Sequence, residues 1–154
     1  MRKVFSIPMW VVICFAVGFL ASYLQEESMR EWYPFLRRSV LTPPSVVFPI
    51  VWSILYLLMG ISAGIVTAST HRCKRPVLSI FIIQLLLNFM WCIFFFTLRN
   101  PMLGFVDIIV LDVAVLLYIV RSRAVSRVAS YLFVPYILWL LMASYLNGYI
   151  LMCN

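Results

Sequence analysis

The chain has 154 residues, of which 65% are apolar and 11% charged, and its net charge is +7. A water-soluble domain carries roughly a quarter charged residues, so this composition excludes a soluble globular fold. It also excludes a nucleic-acid-binding module: the Lys and Arg residues stand in short clusters between apolar runs, with no soluble fold to present them as a basic surface.

Arg2 and Lys3 open the chain, followed by an apolar run over residues 4–24. That run is long for the core of a secretory signal, and no A-x-A site follows, so it reads as a retained first spanning helix. Residues 25–44 form a long first loop that holds Glu26, Glu27 and Glu31 and closes with Pro43 and Pro44, which stop any helix. The second helix is expected over 46–70, with no charge before Arg72. Trp52 and Tyr56, four apart, share one face, and Gly60 and Gly64 continue it. That face is aromatic near its start and slim near its end. The slim part permits close helix approach, either within one bundle or between two copies.

The third helix, 77–98, carries Gln84, Asn88, Trp91 and Phe95 on one face. Amides in hydrocarbon are costly unless paired, so this face should point into a bundle. The fourth, 102–120, carries Asp107 and Asp112, five apart and therefore about 140° apart round the helix. The fifth, 128–152, places Trp139, Ala143 and Asn147 on one stripe with Tyr136 beside it. Each segment is a continuous apolar run of about 20 residues, not an alternating one, which selects spanning helices over a barrel. The expected fold is an all-α membrane protein, a five-transmembrane-helix bundle forming one domain over residues 1–154.

Arg2, Lys3, Arg72, Lys74, Arg75, Arg121, Arg123 and Arg127 fall on one side of such a bundle, and Arg30, Arg37, Arg38 and Arg99 on the other. The larger cluster marks the cytoplasmic side of a multi-pass cell-membrane protein, with the first loop and the C-terminus opposite. Counted from the ends, Trp52, Asn88, Trp91, Asp107, Trp139, Ala143 and Asn147 come to similar depth, from the middle of the bundle to its outer half, under the first loop. That is the arrangement of an apolar, aromatic pocket with a few polar anchors and a lid. Asp107 is expected to face Asn88 there, since an intramembrane carboxylate is functional by default; Asp112 has no neighbour matched in depth. Two plainer readings compete: an aromatic belt for residues such as Trp10, Trp32, Tyr33, Tyr131 and Tyr149, and helix-to-helix glue for the amides. Cys14, Cys73, Cys92 and Cys153 lack metal-type spacing and read as small packing residues, so no metal site is expected. No hydrolytic triad, phosphate loop or dinucleotide fingerprint is present, and enzymatic activity is not the favoured reading.

The motifs Trp32–Tyr33, Thr42–Pro43–Pro44, Phe48–Pro49 with Trp52, Leu55–Tyr56 and Gly60, Leu87–Asn88 with Trp91 and Phe94–Phe95, and Pro135–Tyr136 with Trp139, Ala143 and Leu146–Asn147 fall in one order along the whole chain. Together they resemble the TspO/MBR family, which includes translocator proteins, tryptophan-rich sensory proteins and the peripheral-type benzodiazepine receptor. The resemblance implies a lipid-embedded five-helix bundle, usually a homodimer, with a pocket for porphyrins, haem-type tetrapyrroles, sterols and benzodiazepine-like molecules. It implies ligand contacts from Tyr33, Pro43, Pro44, Trp52, Asn88, Trp91, Asp107, Trp139, Ala143 and Asn147. No cofactor is required; porphyrin or haem enters as ligand. The expected role is tetrapyrrole sensing or transport. The alternatives are light-dependent porphyrin breakdown with Trp52 and Trp139 as catalytic candidates, or regulation of other membrane proteins. Two departures from the family pattern stand out. Its first loop reads Lys-Pro-x-Trp where this chain has Arg38–Ser39–Val40–Leu41, so the lid lacks that Trp. No basic residue follows Tyr149, which leaves the sterol motif of animal members without support.

Overall fold

A computed structural model describes residues 2–154, with side chains described from Phe5 onward. Its helices are α1 (Arg2–Glu31), α2 (Val47–Ala68), α3 (Lys74–Cys92), α4 (Pro101–Ser122), α5 (Arg127–Tyr131) and α6 (Val134–Cys153). A 3-10 turn, Tyr33–Phe35, lies in the first loop, and a π-helical turn, Ile93–Thr97, prolongs α3. Five helical segments are long and apolar enough to cross a membrane, α5 and α6 together making the fifth. The surface along them is apolar: Phe19, Val113, Leu138 and many like them face outward.

The elements follow the sequence reading with two differences. The first helix does not stop at residue 24 but runs to Glu31, because its charged end is held from outside. Glu26 and Arg30 pair one turn apart, Ser28 Oγ donates to the Phe96 carbonyl at 2.6 Å, and Arg99 reaches Glu27 at 3.4 Å and Glu31 at 3.7 Å. Arg99 itself takes φ 49°, an uncommon conformation for a residue with a side chain, where the chain turns from α3 into α4. Asn100 then caps α4, its Oδ1 accepting from the backbone of Met102 and Leu103 at 3.1 Å, with Pro101 in the first turn. The second difference is a break in the last span at Leu132 and Phe133. Pro135 lacks the N–H that a continuous helix would need there, so it sits in the first turn of a fresh helix, α6.

At the end of the bundle away from the first loop, α1 and α2 are in backbone contact. A Cβ placed on Gly60 would lie 2.5 Å from Val11 Cα, and one on Gly64 2.5 Å from Ile7 Cα. Both glycines are thus spent within one bundle. Trp10 Nε1 donates to Thr67 Oγ1 at 2.8 Å, so Trp10 braces this contact and is not a free belt residue. Deeper in, Phe81, Tyr118 and Phe133 are fully buried, and Ser62 Oγ bridges Tyr118 Oη (2.8 Å) and the Ala129 carbonyl (2.7 Å).

At the other end, the first loop is fastened to α6. Arg37 N donates to Asn154 Oδ1 at 2.9 Å, Asn154 Nδ2 donates back to the Arg37 carbonyl at 3.1 Å, and Ser39 Oγ lies 3.0 Å from Tyr145 Oη.

Candidate functional site

Beneath this loop lies a cavity of about 770 Å³ walled by α1, α2, α3 and α6. The i, i+4 spacing expected to stack Trp52 on Tyr56 does so: the rings are 5.6 Å apart and inclined by 29°. Tyr56 Oη donates to Asn88 Oδ1, and Asn88 Nδ2 donates to Tyr136 Oη, both at 2.9 Å. Asn88 therefore lines the cavity and also ties α2, α3 and α6 together, so the pocket reading and the glue reading describe one residue. On the next turn Trp91 stacks on Phe95 at 5.4 Å and 16°, and its Nε1 donates to Asn147 Oδ1 at 3.0 Å. Asn147 Nδ2 in turn donates to the Pro101 carbonyl at 2.9 Å. The π-helical turn brings the consecutive residues Phe95 and Phe96 both inside, where Trp32 and Tyr33 from the loop pack on Phe95 at 5.5 and 6.5 Å. Phe48 meets Trp139 edge-on at 5.7 Å. The indole N–H of Trp139, a cavity-lining residue, is buried with no hydrogen-bond partner.

Of the residues named from the sequence, Tyr33, Trp52, Asn88, Trp91, Trp139, Ala143 and Asn147 line this one cavity. Pro43 and Pro44 line a separate, shallower hollow of about 570 Å³ on the loop, with Arg38, Ser39 and Thr42; Ser45 borders both spaces. Over Tyr33, the Arg38 guanidinium stands 5.2 Å from the ring centre. Burial pushes the Tyr33 phenol above its ordinary pKa, with Arg38 pulling the other way, so the residue is neutral at physiological pH.

Asp107 is not in the wall. Its depth along α4 is comparable, but α4 contributes no lining residue, because it packs behind α3 and α6. Gly104 makes that packing close: a Cβ there would fall 2.9 Å from Phe95 Cβ and 3.1 Å from Asn147 Oδ1. Asp107 is buried with one carboxyl oxygen unpartnered. Asp112 is also buried, and its Oδ2 accepts from Ser144 Oγ at 2.7 Å.

From α1 the sequence reading brings only Ser22 and Tyr23 to this depth, and it missed Phe15, Gly18, Ala21 and Gln25. A signal was present: Gly18, Ala21, Ser22 and Gln25 recur at helical spacing as the small and polar face of an apolar run. Gly18 is needed there, since a Cβ would lie 2.4 Å from the Tyr56 ring. Cys92 also faces the cavity, its thiol 3.2 Å from the Ala21 carbonyl. All four cysteines are free, and among the described residues no cluster of His, Cys, Asp and Glu could hold a metal ion.

The sequence model of the TspO/MBR family matches residues 10–152. This chain belongs to the TspO/MBR family. It is 40% identical over 144 residues to the tryptophan-rich protein TspO of Archaeoglobus fulgidus, covering 94% of each chain. It is 34% identical over 155 residues to the protein of the same name from Chlorobaculum tepidum, covering 99% of this chain and 98% of that one. The human translocator protein is 31% identical over 129 residues, with 81% of this chain and 75% of that protein covered. The chain is therefore a multi-pass membrane protein of the TspO/MBR family.

Proposed function

We propose that this protein binds porphyrin or haem-type tetrapyrroles in the cavity under its first loop and acts as their membrane sensor or carrier. One observation carries the reading: Trp52 on Tyr56, Trp91 on Phe95 and Trp139 on Phe48 present ring pairs around about 770 Å³. Ligand pockets commonly span roughly 300–1,000 Å³ with mostly apolar walls and few polar groups, which fits a broad, flat, apolar molecule. The ring of Trp139 lines the cavity, while its indole N–H is buried without a hydrogen-bond partner. The name translocator protein, carried by the human relative, supports the carrier role.

In this proposal the N-terminus is cytoplasmic in the cell membrane, and the loop over the cavity faces the opposite side, following the Lys and Arg distribution. The family resemblance extends it to a homodimer. With Gly60 and Gly64 spent on α1, a second copy would dock on another face, and cross-linking in membranes tests this.

The functional test is titration of protoporphyrin against purified protein with Trp fluorescence as readout. Binding should quench it, and the Trp52→Phe, Trp91→Phe, Trp139→Phe triple variant, which removes the three tryptophans of the wall, should lose most of the quenching. Equal quenching in that variant would assign the effect to tryptophans outside the cavity and overturn the proposal.

A further inference from the structure

The first loop covers the cavity, and part of its side wall faces outward. Above it, the loop is pinned to α6 by the two Arg37–Asn154 hydrogen bonds and the Ser39–Tyr145 contact. Its side wall is different. Phe19 and Tyr23 on α1 line the cavity and yet are 76% and 68% exposed. Pro49 and Ser53 on α2 likewise line it and are exposed. A side chain that lines a cavity while facing outward stands at its mouth. These four residues flank a slit between α1 and α2.

The slit starts where the helix contact ends. Toward the far end, α1 and α2 meet backbone to backbone at Gly64 and Gly60, and Gly18 still lies against the Tyr56 ring. Beyond Gly18 the cavity separates them. Along α1 the exposed lining residues run from Phe15 to Glu26, eleven steps, or about 16 Å at 1.5 Å per residue, and Met29 lines the cavity one turn beyond them. Half of a hydrocarbon core of ~30 Å is about the same height. The lips are mostly apolar, with the small hydroxyls of Ser22 and Ser53 among them, and Gln25, Glu26 and Ser45 border the cavity at its top.

We propose that the cavity's ligand enters and leaves sideways, from one leaflet of the bilayer, through the slit between Phe19 and Tyr23 on α1 and Pro49 and Ser53 on α2. The inference rests on the cavity being the ligand site. It assigns the ligand to one chemical class: a flat apolar molecule with a polar edge, already dissolved in the leaflet, whose edge stays near the headgroups as the body slides in. It also assigns the loop a holding role and not a gating one.

The experiment is stopped-flow Trp quenching with protein in liposomes and protoporphyrin supplied in the bilayer. Ser22→Phe with Ser53→Phe narrows the slit at two exposed positions. It should slow both association and dissociation about tenfold while Kd changes less than about threefold, the signature of a gate. Phe19→Ala with Tyr23→Ala widens the slit and should speed both rates. Asn154→Ala with Tyr145→Phe frees the loop and should leave them unchanged. Rates that follow the loop variant and ignore both slit variants overturn the proposal. Should the narrowing pair fill the cavity and abolish binding, the widening pair decides alone, and unchanged rates there overturn it. Absence of quenching in the unmodified protein would instead defeat the ligand-cavity reading itself.

Discussion

The two ends of the bundle use the same aromatic composition in opposite ways. Away from the first loop, Tyr118 and Phe133 lie 4.1 Å apart, Phe81 packs on both, and the nearby hydroxyls of Ser62 and Tyr118 bond each other. No ring there lines the cavity. Under the loop, rings also stack, but in pairs along a wall, and one face of each pair borders open space. The difference comes from what separates the helices. At the far end, glycine lets α1 and α2 touch, and every aromatic side chain must fill the remaining volume. At the loop end, α1 diverges from α2 beyond Gly18, and Trp52, Trp91 and Trp139 stand where a filled core would otherwise be. Tight packing at one end holds the other end open.

The largest effect should come from breaking the tight end. Gly60→Leu would drive a side chain into the Val11 backbone, whose Cα and N lie 2.5 and 2.7 Å from the Cβ position. Backbone cannot rotate away as a side chain can, so α1 must shift. Overpacking of this kind costs about 3 kcal/mol or more, and thermal unfolding in detergent should show a marked loss. Ligand binding should fall with it, because the same shift moves the α1 wall. Unchanged unfolding would mean that α1 and α2 are not held together here.

Asn88→Leu sharpens the comparison at the open end. It removes both bonds of the Tyr56–Asn88–Tyr136 chain and leaves two buried phenols to find other partners. The expected loss is about 1–3 kcal/mol in stability, with weaker porphyrin binding alongside. Measuring both in one preparation separates the two roles of Asn88: a stability loss with intact binding would reduce it to helix glue.

Ser144→Ala probes the region behind the wall. Asp112 would lose its hydrogen-bond donor. Stability should drop by about 1 kcal/mol, while porphyrin affinity should not change, since neither residue lines the cavity. A matched loss of affinity would show that the α4–α6 contact shapes the site.

How far this comparison could be read from sequence depends on what sets each feature. Spans, faces and depth follow from chain position and helical period alone. That is why the Trp52–Tyr56 face, the Asn88–Trp91 face and the Trp139–Asn147 stripe come together as expected. The order of helices around the bundle does not follow from one-dimensional position, and so Asp107 was placed at a wall that α3 and α6 in fact occupy. Two local features also escaped. Residues 25–31 look like loop by charge, yet Arg99 and the Phe96 carbonyl, far along the chain, keep them helical. The π-helical turn changes the facing of Phe96, which a regular 3.6-residue period would not have paired with Phe95 on the inside.

Asp107 gives the smallest expected effect and the sharpest test of that helix order. A carboxylate at the membrane centre costs about 2.5–3.5 kcal/mol on insertion scales, so its presence in α4 demands an account. If depth decided function, Asp107 would meet the ligand's polar groups, and Asp107→Asn would weaken porphyrin binding by the usual ~1–3 kcal/mol of a lost buried partner. The observed packing says otherwise. Phe95 and Asn147 close on Gly104 in front of α4, and no residue of α4 reaches the cavity. Asparagine keeps the shape of aspartate, so it opens no void. The expected outcome is porphyrin affinity within about twofold of the unmodified protein, with thermal stability equal or slightly higher because a buried ionisable carboxyl has become a neutral amide. A tenfold loss of affinity in a folded Asp107→Asn protein would mean that α4 does face the ligand, and that the wall formed by α3 and α6 gives way when the cavity is filled.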